Sequence, residues 1–464
     1  MTSRDLAQRA LWAATFLAGA LILCLAALIN GGPILFPDTL TYLLDGQSLV
    51  RLNWPSNERP VFYGLAIWFL HWERSVWPVM AAQGLGVVHL IWLTLRVLGV
   101  AQSRLRLLGI IAFLAIATPL SWYVSHILPD VFTGVLILAM FLLGFCRHRL
   151  TRGEMAYLFL LATASVCFHL SHLVVALAIA GAGYLAWVAA RDRWATIQPG
   201  LLLGPIALAL AVYFSFSLVV YRQVTLTPKS PPFLLARMIA DGPGRDYLVA
   251  SCGRTPYVIC KYMDHLPDTE NGILWQFLAP MRNTPDFWAI CAEQGQIVAA
   301  TALMFPGRVV SNMLAGTTRQ LVTISAATAF YDTDQRTMER LYAFVSRDFA
   351  DTLQGRGLLT DPNLEGINSL HATVAIASLP LCILFALACL RSCNRQAALL
   401  VGIILLGLLA NAFATGALAG VFGRYQGRAI WLLPFAALVA SLVFARGRTA
   451  LPRSLVQASV GDQP

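Results

Sequence analysis

Long apolar stretches without an interior charge recur along this chain, and several reach the roughly 20 residues needed to cross the hydrocarbon of a bilayer. Ten spans are expected, at residues 11–30, 78–98, 107–123, 131–146, 156–172, 173–190, 201–221, 370–390, 397–422 and 429–445. The first is too long and too poor in a small-residue cleavage site for a removable signal peptide, so it is read as an anchor. Only 12% of residues are charged, against about a quarter in a soluble domain. Lipid is the solvent this composition fits, and the expected fold is an all-α polytopic membrane protein.

Arginine sets the expected sidedness, because short loops rich in Lys and Arg stay cytoplasmic. Arg4 and Arg9 precede the first span, and Arg96, Arg104 and Arg106 follow the second. Arg147, Arg149 and Arg152 follow the fourth, and Arg191 and Arg193 the sixth. Arg391 and Arg395, then Arg446, Arg448 and Arg453, complete the pattern. With ten spans every cluster falls on one face, and both termini lie there. The net charge of +10 is then a topogenic signal with anionic headgroups beside it, and needs no nucleic-acid partner. Arginine outnumbers lysine 31 to 2, a bias of GC-rich bacterial genomes, so the expected location is a bacterial inner membrane.

Three regions follow: a membrane domain over 1–221 with a first outer loop at 31–77, an extracytoplasmic module over 222–367, and C-terminal membrane helices with a tail over 368–464. In the loop, Pro37 and Asp38-Thr39 open one surface helix, and Pro60 opens a second that ends near His71-Trp72. The module has 14 acids against 13 bases, the near balance of a folded, mostly helical aqueous unit. Pro231-Pro232, Asp241-Gly242-Pro243-Gly244 and the run from Pro280 to Pro285 punctuate it. Residues 297–329 are moderately apolar and contain Arg308 and Arg319; they read as interfacial helices or as a hidden pair of spans. If this side is oxidising, Cys252 and Cys260 are the disulfide candidates, and no Cys/His cluster suggests a metal site.

Ionisable groups close to the membrane are functional candidates by default. Asp38, Asp45, Glu58 and Glu73 lie in the first loop, and Asp130 begins the fourth span. Helix capping after proline accounts equally well for Asp38 and Asp130, and solvation for Asp45 and Glu73. His126, four residues before Asp130, is placed to pair with it. His169 and His172 stand at i and i+3, a spacing open to acid-base work, though a polar contact between helices is the plainer reading. Trp54, Trp68, Trp72 and Trp77 fit an interfacial belt.

Two of these motifs carry a resemblance. Phe36-Pro37-Asp38-Thr39-Leu40-Thr41-Tyr42 after the first span, with Arg59-Pro60 opening the next helix, resembles the first-loop signature of GT-C glycosyltransferases. These are polytopic enzymes that use polyprenyl-phosphate-linked sugars, among them the protein mannosyltransferase and lipid A aminoarabinose transferase relatives. The resemblance implies Asp38 as catalytic base, Asp130 as the second acid, and Arg59 and Tyr42 beside the donor. It places Arg424 and Arg428 of Gly423-Arg424-Tyr425-Gln426-Gly427-Arg428 in a basic outer turn facing the donor phosphate, with His126 nearby. Many relatives carry an adjacent Asp-Glu pair, whereas Thr39 follows Asp38 here, which makes a divalent metal doubtful. The implied function is sugar transfer from the polyprenyl-phosphate donor to an extracytoplasmic glycolipid, polysaccharide or protein acceptor. The rival functions are transport or flipping of a lipid-linked saccharide and membrane acyl transfer through His169 or His172.

Overall fold

The helix-forming signals are local and strong. Pro37 occupies the first turn of its helix, where its fixed φ fits and its missing N–H is not needed. Thr39 Oγ1 accepts the Phe36 N–H at 3.1 Å, and Asp38 stands in the positive first turn. Thr151 and Glu154 form a reciprocal capping box, and Thr284 caps a helix that begins with Pro285.

A computed structural model describes residues 2–53, 55, 59–100, 102–189, 197–226, 230–325, 351–391 and 394–449. In chain order the helices are α1 (Ser3–Leu23), α2 (Leu25–Asn30), α3 (Pro37–Val50), α4 (Phe62–His71), α5 (Trp77–Val97), α6 (Arg104–Ala117) and α7 (Leu120–Ser125). They continue with α8 (Phe132–Phe145), α9 (Arg152–Phe168), α10 (Leu170–Ala189), α11 (Pro199–Tyr221), α12 (Phe233–Ala240) and α13 (Pro243–Ser251). The last are α14 (Pro285–Met304), α15 (Pro306–Val322), α16 (Asp361–Arg391), α17 (Arg395–Ala412), α18 (Gly423–Ile430) and α19 (Leu432–Thr449). Among the described residues there is no strand, only an isolated bridge between Ile34 and His126.

This is an all-α membrane protein: among the described residues seven helices are long and apolar enough to cross a bilayer, or up to eight if the bent α14–α15 pair counts as one. The ten expected stretches lie mainly on helix, with a break at Thr118-Pro119 inside 107–123 and non-helical residues at 418–422. The three that miss the criterion lie on α6 (14 residues), on the run Pro129–Phe145, and on α9 (17 residues). Every residue of α8 from Thr133 to Phe145 is buried, which makes it the centre of the bundle. It packs on α5, α9, α10, α11 and α17.

The polar module has its own apolar core, built from Leu235, Ile239, Leu248, Ile259, Phe287 and Ile290 among others. Its proline and glycine breaks fall just before helices or in their first turns, and Cys252 is joined to Cys260 with Cα atoms 5.7 Å apart. Residues 297–325 form the end of α14 and α15, which meet at a bend of 106°; the rest of the 297–329 stretch lies outside the described residues.

The first loop forms the two expected helices, α3 and α4, but they are not lightly held. Gly46 and Gly64 let their backbones touch: a Cβ on Gly64 would lie 2.2 Å from the Tyr42 carbonyl oxygen, and one on Gly46 2.3 Å from that of Gly64. This packing turns Asp45 inward, where it is buried, against the expectation of solvation. Glu73 instead pairs with Arg51 at 2.9 Å near the surface. Glu58 and Trp54 lie outside the described residues. Gly64→Val is expected to cost at least about 1–3 kcal/mol by forcing α3 from α4. Gly86→Ala, which meets open space, should be neutral. Thermal unfolding in detergent compares the two, and equal midpoints would refute the close-packing account.

Candidate functional site

Asp38, Arg59, Tyr42, Asp130, Arg424 and Arg428 gather at one end of the bundle. Arg59 Nη2 donates to Asp38 Oδ1 at 2.8 Å, and Arg424 Nη2 lies 3.6 Å from Asp38 Oδ2. The carboxylate is thus bracketed by two guanidinium groups, with side-chain exposures of 18%, 18% and 14% for Asp38, Arg59 and Arg424. These groups are shielded yet within reach of a ligand. Arg424 stacks 3.8 Å over the Phe36 ring, and its Nη1 is buried without a hydrogen-bond partner among the described residues. The guanidinium also has Tyr425 as a side-chain hydrogen-bond neighbour, so it is held between Phe36, Tyr425 and Asp38.

Arg59 is also held from the module side, 5.7 Å from the Phe233 ring and 5.8 Å from that of Trp275. Burial works to lower its pKa, but Asp38 and Tyr42 outweigh that and raise it, so the guanidinium stays charged. Tyr42 is buried edge-on to Tyr63 at 5.2 Å. Burial pushes its phenol up, with Arg59 opposing and Asp38 adding to the shift, so it stays a neutral hydroxyl.

The second acid sits deeper. Asp130 Oδ1 accepts from Arg428 Nη1 at 3.0 Å, and Arg428 is fully buried. Arg428 Nε donates to Asn411 Oδ1 at 3.1 Å, and Nη2 donates to Asn411 Oδ1 at 2.7 Å and to Ser171 Oγ at 2.8 Å. All three guanidinium nitrogens are therefore engaged within the protein, tying α18 to α10, α17 and the turn before α8. Arg424 keeps some side-chain exposure, whereas Arg428 has none. The helical period explains this, since a four-residue step along α18 runs one turn inward from the loop. His126 is buried too, edge-on to Tyr123 at 5.4 Å, with its carbonyl accepting from Gln83 Nε2 at 3.0 Å. Burial pushes its imidazole down to about 4, against the opposing pull of Asp130.

His169 and His172 do not share a helical face. α9 ends at Phe168, His169 is extended, and α10 begins at Leu170. His172 Nε2 lies 2.8 Å from Thr133 Oγ1 and its Nδ1 2.6 Å from the Ser165 carbonyl oxygen, the polar contact between helices.

Two glutamines that sequence reading passed over hold the site's backbone. Gln354 Nε2 donates to the Leu35 carbonyl at 2.7 Å and its Oε1 accepts the Leu35 N–H at 3.0 Å, three residues before Asp38. Gln320 does the same to Phe422, at 2.9 Å and 3.0 Å, two residues before Arg424. Both come from the module, so both arms of the site are pinned to it. Gln354→Leu leaves two buried backbone groups unpaired and is expected to destabilise by about 1–3 kcal/mol. An unchanged unfolding midpoint for this variant would show that water replaces the amide.

Neither a protein-family model, nor a curated protein, nor a solved structure matches this chain.

Proposed function

We propose that this protein is a membrane glycosyltransferase, moving a sugar from a polyprenyl-phosphate donor to an extracytoplasmic glycolipid, polysaccharide or protein. The observation that carries the reading is the bracket Arg59–Asp38–Arg424 with its unpaired Arg424 Nη1. Guanidinium forks match phosphate oxygens, and a carboxylate between them is placed to take a proton. A phosphate entering the bracket competes with Asp38 for the arginine donors and releases the carboxylate's lone pairs. The acceptor hydroxyl gives its proton to Asp38 as its oxygen bonds to the anomeric carbon. The bond from that carbon to the phosphate oxygen breaks, and the phosphate leaves with the electron pair, its charge held by Arg424 and Arg59. Arginine supplies the charge in this scheme, so no divalent ion is invoked. The buried Asp130–Arg428 pair fixes α18 and thereby Arg424.

In the matching topology the chain crosses a bacterial inner membrane ten times, with arginine clusters and both termini cytoplasmic and the site outside. Purified protein supplied with polyprenyl-phosphate sugars tests the reaction, and glycan mass spectrometry of a deletion strain identifies the acceptor. Arg424→Gln is expected to raise the donor KM by about 10–100-fold, the weight of one or two charge-assisted hydrogen bonds. A donor KM that does not move removes the phosphate role of Arg424.

A further inference from the structure

The module meets the bundle through an elbow whose two arms sit in different surroundings. α14 packs into the module's core through Phe287, Ile290 and Ile297, whereas α15 packs on α17 and on the π-helical turn Phe413–Ala417 that follows it. The inward face of α15 carries Val309, Gly316, Thr317 and Gln320. At Gly316 the approach is backbone to backbone, since a Cβ there would lie 2.3 Å from the Gly416 carbonyl oxygen.

The opposite face of α15 carries Val310, Leu314, Thr318 and Val322 at four-residue intervals, all exposed and none charged. The last turn of α14 adds Leu303, 83% exposed, and Met304. The two charges of α15 border this stripe and are drawn toward acids of the module. Arg308 reaches Asp246 of the module at 2.6 Å, and Arg319 acts electrostatically on Asp241. The Thr318 hydroxyl is satisfied internally, its Oγ1 donating to the Leu314 carbonyl at 2.9 Å, and Ser311 is the other hydroxyl on this face. The stripe also continues a lipid-facing surface. α17 and its π-turn belong to a helix that meets the crossing criterion, and their Leu409 and Phe413 are exposed.

We propose that this elbow is a bilayer contact. Its tip, Leu303 to Phe305, enters the leaflet, and α15 lies in it on the Val310, Leu314, Thr318 and Val322 face, with acyl chains as the partner. An exposed apolar stripe of this kind would be a liability beside water, and its bordering by Arg308 and Arg319 is the pattern of an in-plane amphipathic helix. Because Gln320 on the inward face clamps Phe422, the depth of α15 sets the height of Arg424 above the membrane. The lipid contact does not depend on the chemistry proposed for the site.

The test uses the full-length chain in nanodiscs, in a Cys291→Ser background, with an environment-sensitive fluorophore on Leu303→Cys or Leu314→Cys. With lipids brominated on their acyl chains, both labels are expected to lose most of their emission while resisting iodide in the buffer. A label on Arg308→Cys should show the reverse. Quenching of the first two by iodide and not by bromolipid overturns the proposal, and so does shielding from both, which would mean that protein covers the face. Should either variant fail to elute as the unsubstituted protein does, Val310→Cys reads the same stripe.

Discussion

Asp38→Asn is expected to abolish sugar transfer, lowering turnover by about 10²–10⁴-fold, the range associated with a positioned general base. The amide keeps the shape of the side chain but has no lone pair basic enough to take the acceptor's proton. Some loss of stability is expected, because Arg59 and Arg424 are shielded and lose their shared carboxylate, so the unfolding midpoint in detergent is measured beside transfer. Donor binding should persist or tighten, since Arg59 and Arg424 no longer share their donors with a carboxylate. Transfer assayed beside donor binding separates the two effects. Wild-type turnover by this variant would remove Asp38 from the reaction and with it the reading of the site.

The largest structural effect is expected at the buried pair. Arg428→Met leaves Asp130 as a charge enclosed by protein, at a cost of about 3–5 kcal/mol, seen as a lower unfolding midpoint in detergent. Asp130→Leu added to Arg428→Met removes that stranded charge and should recover part of the loss, although Asn411 Oδ1 still lacks two of its donors. A double variant no more stable than Arg428→Met alone would show that the carboxylate is not the seat of the penalty. These variants also separate support from chemistry. If Arg428 acts by holding α18, stability should fall at least as steeply as donor affinity, whereas Arg424→Gln should weaken donor binding with little change in stability.

Much of the candidate site was legible because it lies beside local signals. Pro37 marks the start of α3 and so isolates Asp38, Pro60 does the same for Arg59, and Asp130 follows Pro129 at the opening of the turn into α8. Arg424 was legible as charge in an otherwise apolar C-terminal region. Asn411 left a signal of the same kind, an amide inside the apolar stretch 397–422, as did Gln83 inside 78–98. Other features had none. Nothing near Asp45 foretells that the Gly46 and Gly64 contact carries it inward. The break expected between residues 172 and 173 falls instead at His169, whose extended backbone takes it off the helix of His172 although the two rings stay 5.4 Å apart.

The sequence by itself determined the solvent, the helices and their caps, because transfer into lipid and capping are decided within one turn or one span of chain. Only the tertiary structure decided the partners. Arg428 meets Asp130 across 298 residues, Gln354 meets Leu35 across 319, and Tyr123 donates to the Arg424 carbonyl across 301. The roles of the two arginines on α18 divide on the same ground. Arg424 sits in the outer turn of α18 with a donor unpaired, and Arg428, one turn further along the same face, is consumed inside the bundle, because the packing of α18 against α8 and α17 sets how deep each turn lies. Residue type gives both arginines the same charge, and packing assigns one to a ligand and the other to the fold.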